Sequence, residues 1–145
     1  MEEKKITQRP VEILIVDDNL VDAKILQNSL TKTRYKNNVY MLNDGEKALD
    51  FIYARNEFAD RKKLPHPDLI LLDIRLPGIG GIEILKELKE HPQYCEIPVI
   101  MVTNYNDEET IEKCYQYGCA GYFHKPIKFD IFIRVIDGFL FIGMI

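Results

Sequence analysis

The sequence predicts a doubly wound α/β domain: a five-stranded parallel sheet with helices on both faces. Three observations carry this prediction. Short unbroken apolar runs (Glu12–Val16, Asp68–Leu72, Pro98–Val102) alternate with stretches of helical period. Such runs read as strands buried on both faces. Chemistry-bearing residues follow them: Asp17 and Asp18, Asp73, Thr103, and Lys125 just after Gly121–Phe123.

Each element is argued in order. Strand one is Glu12–Val16, with residues 1–10 a polar extension outside the single domain of residues 11–145. Helix one runs from about Val21 to Lys32, with Val21, Ile25, Leu26 and Leu30 inward and Asn19 as N-cap. Strand two is short, Val39–Leu42. Asn43-Asp44-Gly45 is a turn, and helix two follows from Glu46 to about Asn56, with Ala48, Leu49 and Ile52 inward. Glu57–Pro67 has no period and reads as a polar surface loop, with Arg61-Lys62-Lys63 solvated.

Strand three, Asp68–Leu72, leads into a glycine-rich turn, Ile74–Gly81. Helix three spans Ile82–Glu90, with Pro92 just beyond, and strand four is Pro98–Val102. Helix four covers Asp107–Tyr117; its acidic first turn complements the helix dipole, and Gly118 stops it. Strand five is Gly121–Phe123. Helix five starts near Phe129 and is apolar over most of its circumference, which calls for a second burial partner.

Composition narrows the function. The 145 residues suit one core, and a net charge of −4 with no basic stripe argues against DNA binding. Cys95, Cys114 and Cys119 match no zinc or redox spacing, so reduced thiols in a cytoplasmic protein are expected. No signal peptide is present, and no run reaches the roughly 18 apolar residues that a membrane span needs.

Ligands of open α/β sheets bind beyond the carboxyl ends of the strands, so Asp17, Asp18, Asp73, Thr103 and Lys125 should converge on one crevice. Two carboxylates 4 Å apart repel by about 4 kcal/mol at an effective dielectric near 20. A cluster of three therefore needs a cation, and all-oxygen ligation suits Mg²⁺. A hydroxyl and an ammonium beside the metal can neutralise a phosphoryl group, and an aspartate can be its nucleophile.

These residues resemble the receiver domain of two-component response regulators. The resemblance rests on Asp17-Asp18, the segment Leu71-Leu72-Asp73-Ile74-Arg75-Leu76-Pro77-Gly78 with Gly81, Thr103, and Tyr122-Phe123-His124-Lys125-Pro126. It implies a flavodoxin-like strand order, 2-1-3-4-5. By resemblance Asp73 accepts a phosphoryl group, while Asp17, Asp18, Asp73 and the Arg75 carbonyl hold Mg²⁺. Thr103 and Lys125 hold phosphoryl oxygens, Thr103 and Tyr122 form the switch, and the Lys125–Pro126 bond is cis. Arg75 and Tyr105 stand where receivers control water access to the acyl phosphate, and their bulk implies slow hydrolysis.

The region around Phe58–Pro67 and the tail resemble stand-alone receivers associated with bacterial phytochromes. The implied partner is a sensor histidine kinase, of phytochrome type by that likeness, or a phosphotransfer protein. A homodimer through helix four, strand five and helix five is also expected, with Phe139–Ile142 at the interface. Two other readings stay open on the residues alone: a Mg²⁺-dependent phosphohydrolase, which typically carries a second aspartate where Arg75 stands, and a receiver-like module that takes no phosphate.

Overall fold

In the computed structural model, which describes residues 6–63 and 66–144, the strands are β1 (Ile6–Val16), β2 (Tyr35–Leu42), β3 (Leu69–Leu72), β4 (Val99–Thr103) and β5 (Gly121–His124). The helices are α1 (Leu20–Leu30), α2 (Gly45–Ile52), α3 (Gly81–Glu90), α4 (Glu108–Gln116) and α5 (Phe129–Met144). Among the described residues the strands form one parallel sheet in the order β2-β1-β3-β4-β5, as expected.

Successive side chains of a strand point to opposite faces, so each apolar run feeds two cores. Leu14, Val16, Ile70, Leu72, Val99 and Met101 pack under α2, α3 and α4. Ile13, Ile15, Leu69, Leu71, Ile100 and Val102 pack under α1 and α5. Asn19, Asp44 and Asp107 cap α1, α2 and α4, each accepting from a main-chain N–H three residues on. Gly118, at φ +99°, follows the end of α4.

Several expectations need correction. β1 begins at Ile6 rather than Glu12: Ile6 pairs with Tyr35, and after an irregularity the ladder resumes at Val11. Pro10, which has no N–H to give, lies in the gap. Residues 6–10 are thus strand, and residues 1–5 lie outside the described chain. The polar composition of this stretch hid it. β2 likewise begins at Tyr35, before the apolar residues.

The expected loop after α2 contains a kinked 3-10 helical segment, Asn56–Lys63, while Leu64 and Pro65 lie outside the described residues. Arg61 is buried there rather than solvated. Its guanidinium carbon sits 3.9 Å from the Phe51 ring centroid, and its Nε donates to the Phe51 carbonyl at 3.1 Å. The side chains of Lys62 and Lys63 lie outside the description.

On α1, Val21 and Ile25 are exposed, at 67% and 41%, whereas Ala23, Leu26 and Leu30 face the sheet. On α5, Phe132, Ile136 and Leu140 form one stripe at four-residue spacing and are buried. Leu140, expected at an interface, therefore belongs to the protein's own core, and Phe139 packs partly against it. The Ile142 side chain lies outside the described residues. Among the described residues no helix is long and apolar enough to cross a membrane.

Candidate phosphoryl and metal site

Strand register brings the carboxylates together. Val16 is paired with both Leu42 and Leu72, so Asp17 and Asp73 leave the sheet side by side. Their backbones continue the ladder by one bond each: Asp17 N–H donates to the Leu42 carbonyl at 3.0 Å and Asp73 N–H to the Val16 carbonyl at 2.9 Å. Thr103 ends β4 and is fully buried, and Lys125 N–H donates to its carbonyl at 2.8 Å. The Lys125–Pro126 bond is cis.

The turn after β3 is held in place by backbone contact. An added Cβ on Gly81 would lie 2.0 Å from the Asp73 carbonyl oxygen, so only a glycine lets α3 start this close to the end of β3. Gly81 N–H donates to the Ile74 carbonyl at 2.8 Å, closing the turn.

The Lys125 ammonium is the hub. It donates to Asp17 Oδ2 at 2.7 Å, to Asp73 Oδ2 at 2.8 Å and to Asp22 Oδ2 at 2.9 Å. Asp17 Oδ1 accepts from Asn19 N–H at 2.9 Å, and Asp73 Oδ1 from Ile74 N–H at 2.7 Å. Asp17, Asp73 and Lys125 are buried, while Asp18 is exposed.

Burial pushes the Asp17 carboxyl above its ordinary range; Lys125 and Asn19 oppose this, and Asp73 adds repulsion. A carboxylate taken out of water here loses more than one shared ammonium returns. For Lys125 burial alone would lower the value, but the hydrogen bonds it donates to Asp17, Asp73 and Asp22 outweigh it and hold the ammonium above its ordinary value.

Asp17, Asp18 and Asp73 each offer an oxygen, and these atoms lie within 4.8 Å of one another. A hard-oxygen set of this kind, opening on solvent through Asp18, fits a divalent cation that keeps several waters. Beside it is a crevice of about 280 Å³ lined by residues that include Asp18, Asp22, Asp73, Arg75, Thr103 and Lys125. It has the chemistry to receive a tetrahedral oxyanion: a nucleophilic carboxylate, an ammonium and a hydroxyl.

Of the site residues expected from sequence, Asp17, Asp18, Asp73, Arg75, Thr103 and Lys125 form the cluster or line the crevice, whereas Tyr122 reaches it only through Tyr105. Arg75 lines the crevice, with its side chain turned outward: Nη2 donates to the Tyr105 hydroxyl at 3.0 Å. Tyr122 is half-buried against the α2–α3–α4 core, and its hydroxyl donates to the Tyr105 carbonyl at 2.6 Å. Burial, with nearby thiols and carboxylates, pushes that phenol up to about 12. Sequence reading missed Asp22. Nothing local signalled it: Asp22 reads as an ordinary acidic residue in the first turn of α1, and its partner Lys125 is 103 residues away.

Comparison with known proteins agrees with this geometry. The model of the response regulator receiver domain matches residues 13–137. The polar-differentiation response regulator DivK of Brucella ovis is 35% identical over 128 residues, covering 88% of this chain and 94% of that one. Response regulator Rcp1 of Synechocystis is 30% identical over 129 residues, covering 89% and 86%. The crystal structure of Rcp1 in its Mn²⁺-bound form superposes with a TM-score of 0.76 at 29% identity, covering 89% of this chain and 91% of that one. That of the phosphorylated cyanobacterial phytochrome response regulator RcpA gives 0.77 at 29% identity, covering 89% and 90%.

Proposed function

The chain belongs to the response regulator receiver family, and from that premise we propose that Asp73 is its phosphoacceptor. The observation that carries the proposal is the contact of the Lys125 ammonium with Asp73 Oδ2 at 2.8 Å, beside the aspartate pair. In the transfer, a lone pair of an Asp73 carboxylate oxygen attacks phosphorus, and the bond from phosphorus to the donor histidine nitrogen breaks. The electron pair stays on the imidazole. Lys125 moves its hydrogen bond from the carboxylate to a phosphoryl oxygen, and Thr103 donates its hydroxyl to another.

Asp17, Asp18, Asp73 and the Arg75 carbonyl would hold Mg²⁺, which neutralises phosphoryl charge when bound. The Mn²⁺-bound state of Rcp1 supports a divalent ion here. Arg75 and Tyr105, joined over the mouth of the crevice, would limit the approach of water to the acyl phosphate. Movement of Thr103 toward the phosphoryl group would release the loop that carries Tyr105, and Tyr122 would turn inward.

The partner is a sensor histidine kinase in the cytoplasm. The phytochrome association of RcpA supports one of phytochrome type. Output is by contact, including a homodimer through α4, β5 and α5. Tyr115 on α4 and Ile131 on α5 are each 50% exposed. Asp137, on the other flank of α5, accepts from Arg34 N–H at 3.1 Å, which turns Ile131 away from the α1 side.

Incubation with acetyl phosphate and Mg²⁺, read by intact mass, is the test. One phosphoryl adduct is expected, absent in Asp73→Asn. Full labelling of that variant sinks the assignment. Rapid turnover with no adduct would point to a phosphohydrolase instead.

A further inference from the structure

We propose that Asp22 is a positioning residue for phosphoryl transfer, holding the Lys125 ammonium in place while its bonds to the other aspartates are exchanged. The inference rests on Asp73 being the acceptor.

An ammonium has three N–H donors. In Lys125 all three are taken, by Asp17, Asp73 and Asp22. These acceptors come from the ends of two strands and from α1, so the nitrogen is fixed from three directions. Two of the three are also committed elsewhere: Asp17 and Asp73 belong to the oxygen cluster that fits the cation. Asp73 Oδ2 also loses acceptor strength if it becomes the bridging oxygen of an acyl phosphate. Asp22 stands outside that cluster, so its hold on Lys125 persists when a metal and a phosphoryl group arrive.

Asp22 is itself well held. It sits in the first turn of α1, and its N–H donates to the Asn19 side chain at 3.0 Å. Its side chain is 29% exposed, so the charge is partly screened while the hydrogen bond remains. A flexible four-carbon side chain without this third anchor would sample other rotamers, and a phosphoryl oxygen would have to capture it.

The test compares wild type, Asp22→Ala and Asp22→Asn. The amide oxygen of Asn still accepts a hydrogen bond, whereas Ala removes it. With acetyl phosphate and Mg²⁺, Asp22→Ala should be phosphorylated about tenfold more slowly, the usual scale for a hydrogen bond to a charged group, and Asp22→Asn should recover most of the rate. Mg²⁺ affinity should change by less than about twofold in both, because Asp22 is no ligand. Independently of phosphate, the ¹⁵Nζ signal of Lys125 should be sharp in wild type and broadened by proton exchange in Asp22→Ala. Wild-type rate in Asp22→Ala overturns the proposal. So does a rate increase in both variants, which would mean that the carboxylate only repels the incoming anion, or a slowed rate with an unaltered Lys125 signal. If wild type itself takes no phosphoryl group, the Asp73 assignment fails, while the Lys125 signal still decides what Asp22 does.

Discussion

The Tyr122 hydroxyl donates to the main-chain carbonyl of Tyr105 at 2.6 Å, tying β5 to the loop that follows Thr103. The Tyr105 side chain is bonded in turn to Arg75. The same loop thus touches the proposed switch and the mouth of the crevice. Tyr122→Phe should free it at a cost of about 1 kcal/mol, the net worth of one hydrogen bond. Hydrogen exchange should quicken across residues 104–107, with the rest of the sheet unchanged. Unaltered exchange there would show that the latch is not formed in solution.

The metal prediction follows from what each aspartate already holds. Asp17 is engaged by Lys125 and by Asn19 N–H, whereas Asp18 is exposed and has no bond to Lys125. Asp18→Ala should therefore weaken Mg²⁺ binding more than Asp17→Ala, by about tenfold against wild type. Calorimetric titration of the three proteins checks the order, and equal affinity in wild type and Asp18→Ala counts decisively against the site.

Gly81→Ala should destabilise the fold by about 3 kcal/mol, because the new methyl group meets a backbone oxygen that cannot turn aside. Phosphorylation should slow as well, since the displaced atom belongs to Asp73. Urea denaturation and labelling rate measure the two effects. A variant as stable as wild type would mean that the turn relaxes freely.

How much of this was legible beforehand depended on burial. Ile13–Val16, Leu69–Leu72 and Val99–Val102 are covered on both faces, so their unbroken apolar runs announced the sheet. The convergence of Asp17, Asp18, Asp73 and Lys125 was equally plain, because strand-end positions are fixed once the strands are. What stayed hidden was polar or one-sided. Thr7–Pro10 is strand without an apolar run, and Arg61 is buried by stacking on Phe51, which composition does not encode. On α1, four apolar residues looked inward, yet the sheet lies under only one stripe, leaving Val21 and Ile25 in solvent. Asp22 was unreadable because its partner is 103 residues away.

Acid should weaken the base of the sheet first. Burial alone would raise the Asp68 carboxyl, but the hydrogen bonds from Arg9 and Glu12 N–H outweigh it and hold it below the ordinary carboxylate range. Its folded-state value is thus depressed relative to the unfolded chain. The stabilisation is present above the unfolded value and is lost as pH falls through the folded one, so thermal stability should drop below about pH 4. Asp68→Asn should be less stable at neutral pH and show a shallower acid loss. An identical pH profile in both proteins would remove Asp68 from the account.

Assembly is tested at Ile131 rather than at Leu140, because Leu140 is part of the core. Ile131→Asp should shift a dimer to monomer in sedimentation velocity without lowering the melting temperature. If wild type is monomeric at tens of micromolar, roughly the range for a weak interface, the dimer is wrong.

The early start of β1 has a practical consequence. The family match begins at residue 13, whereas β1 begins earlier, with Ile6 paired to Tyr35 and Arg9 clasping both carboxylate oxygens of Asp68. The first ties β1 to β2, the outermost strand on that side, and the second ties β1 to the start of β3, both at the pole opposite the chemistry. An affinity tag spliced directly onto Ile13, as trimming to the family boundary would suggest, removes both ties. The trimmed protein would keep every group of the reaction centre and still unzip from its first edge.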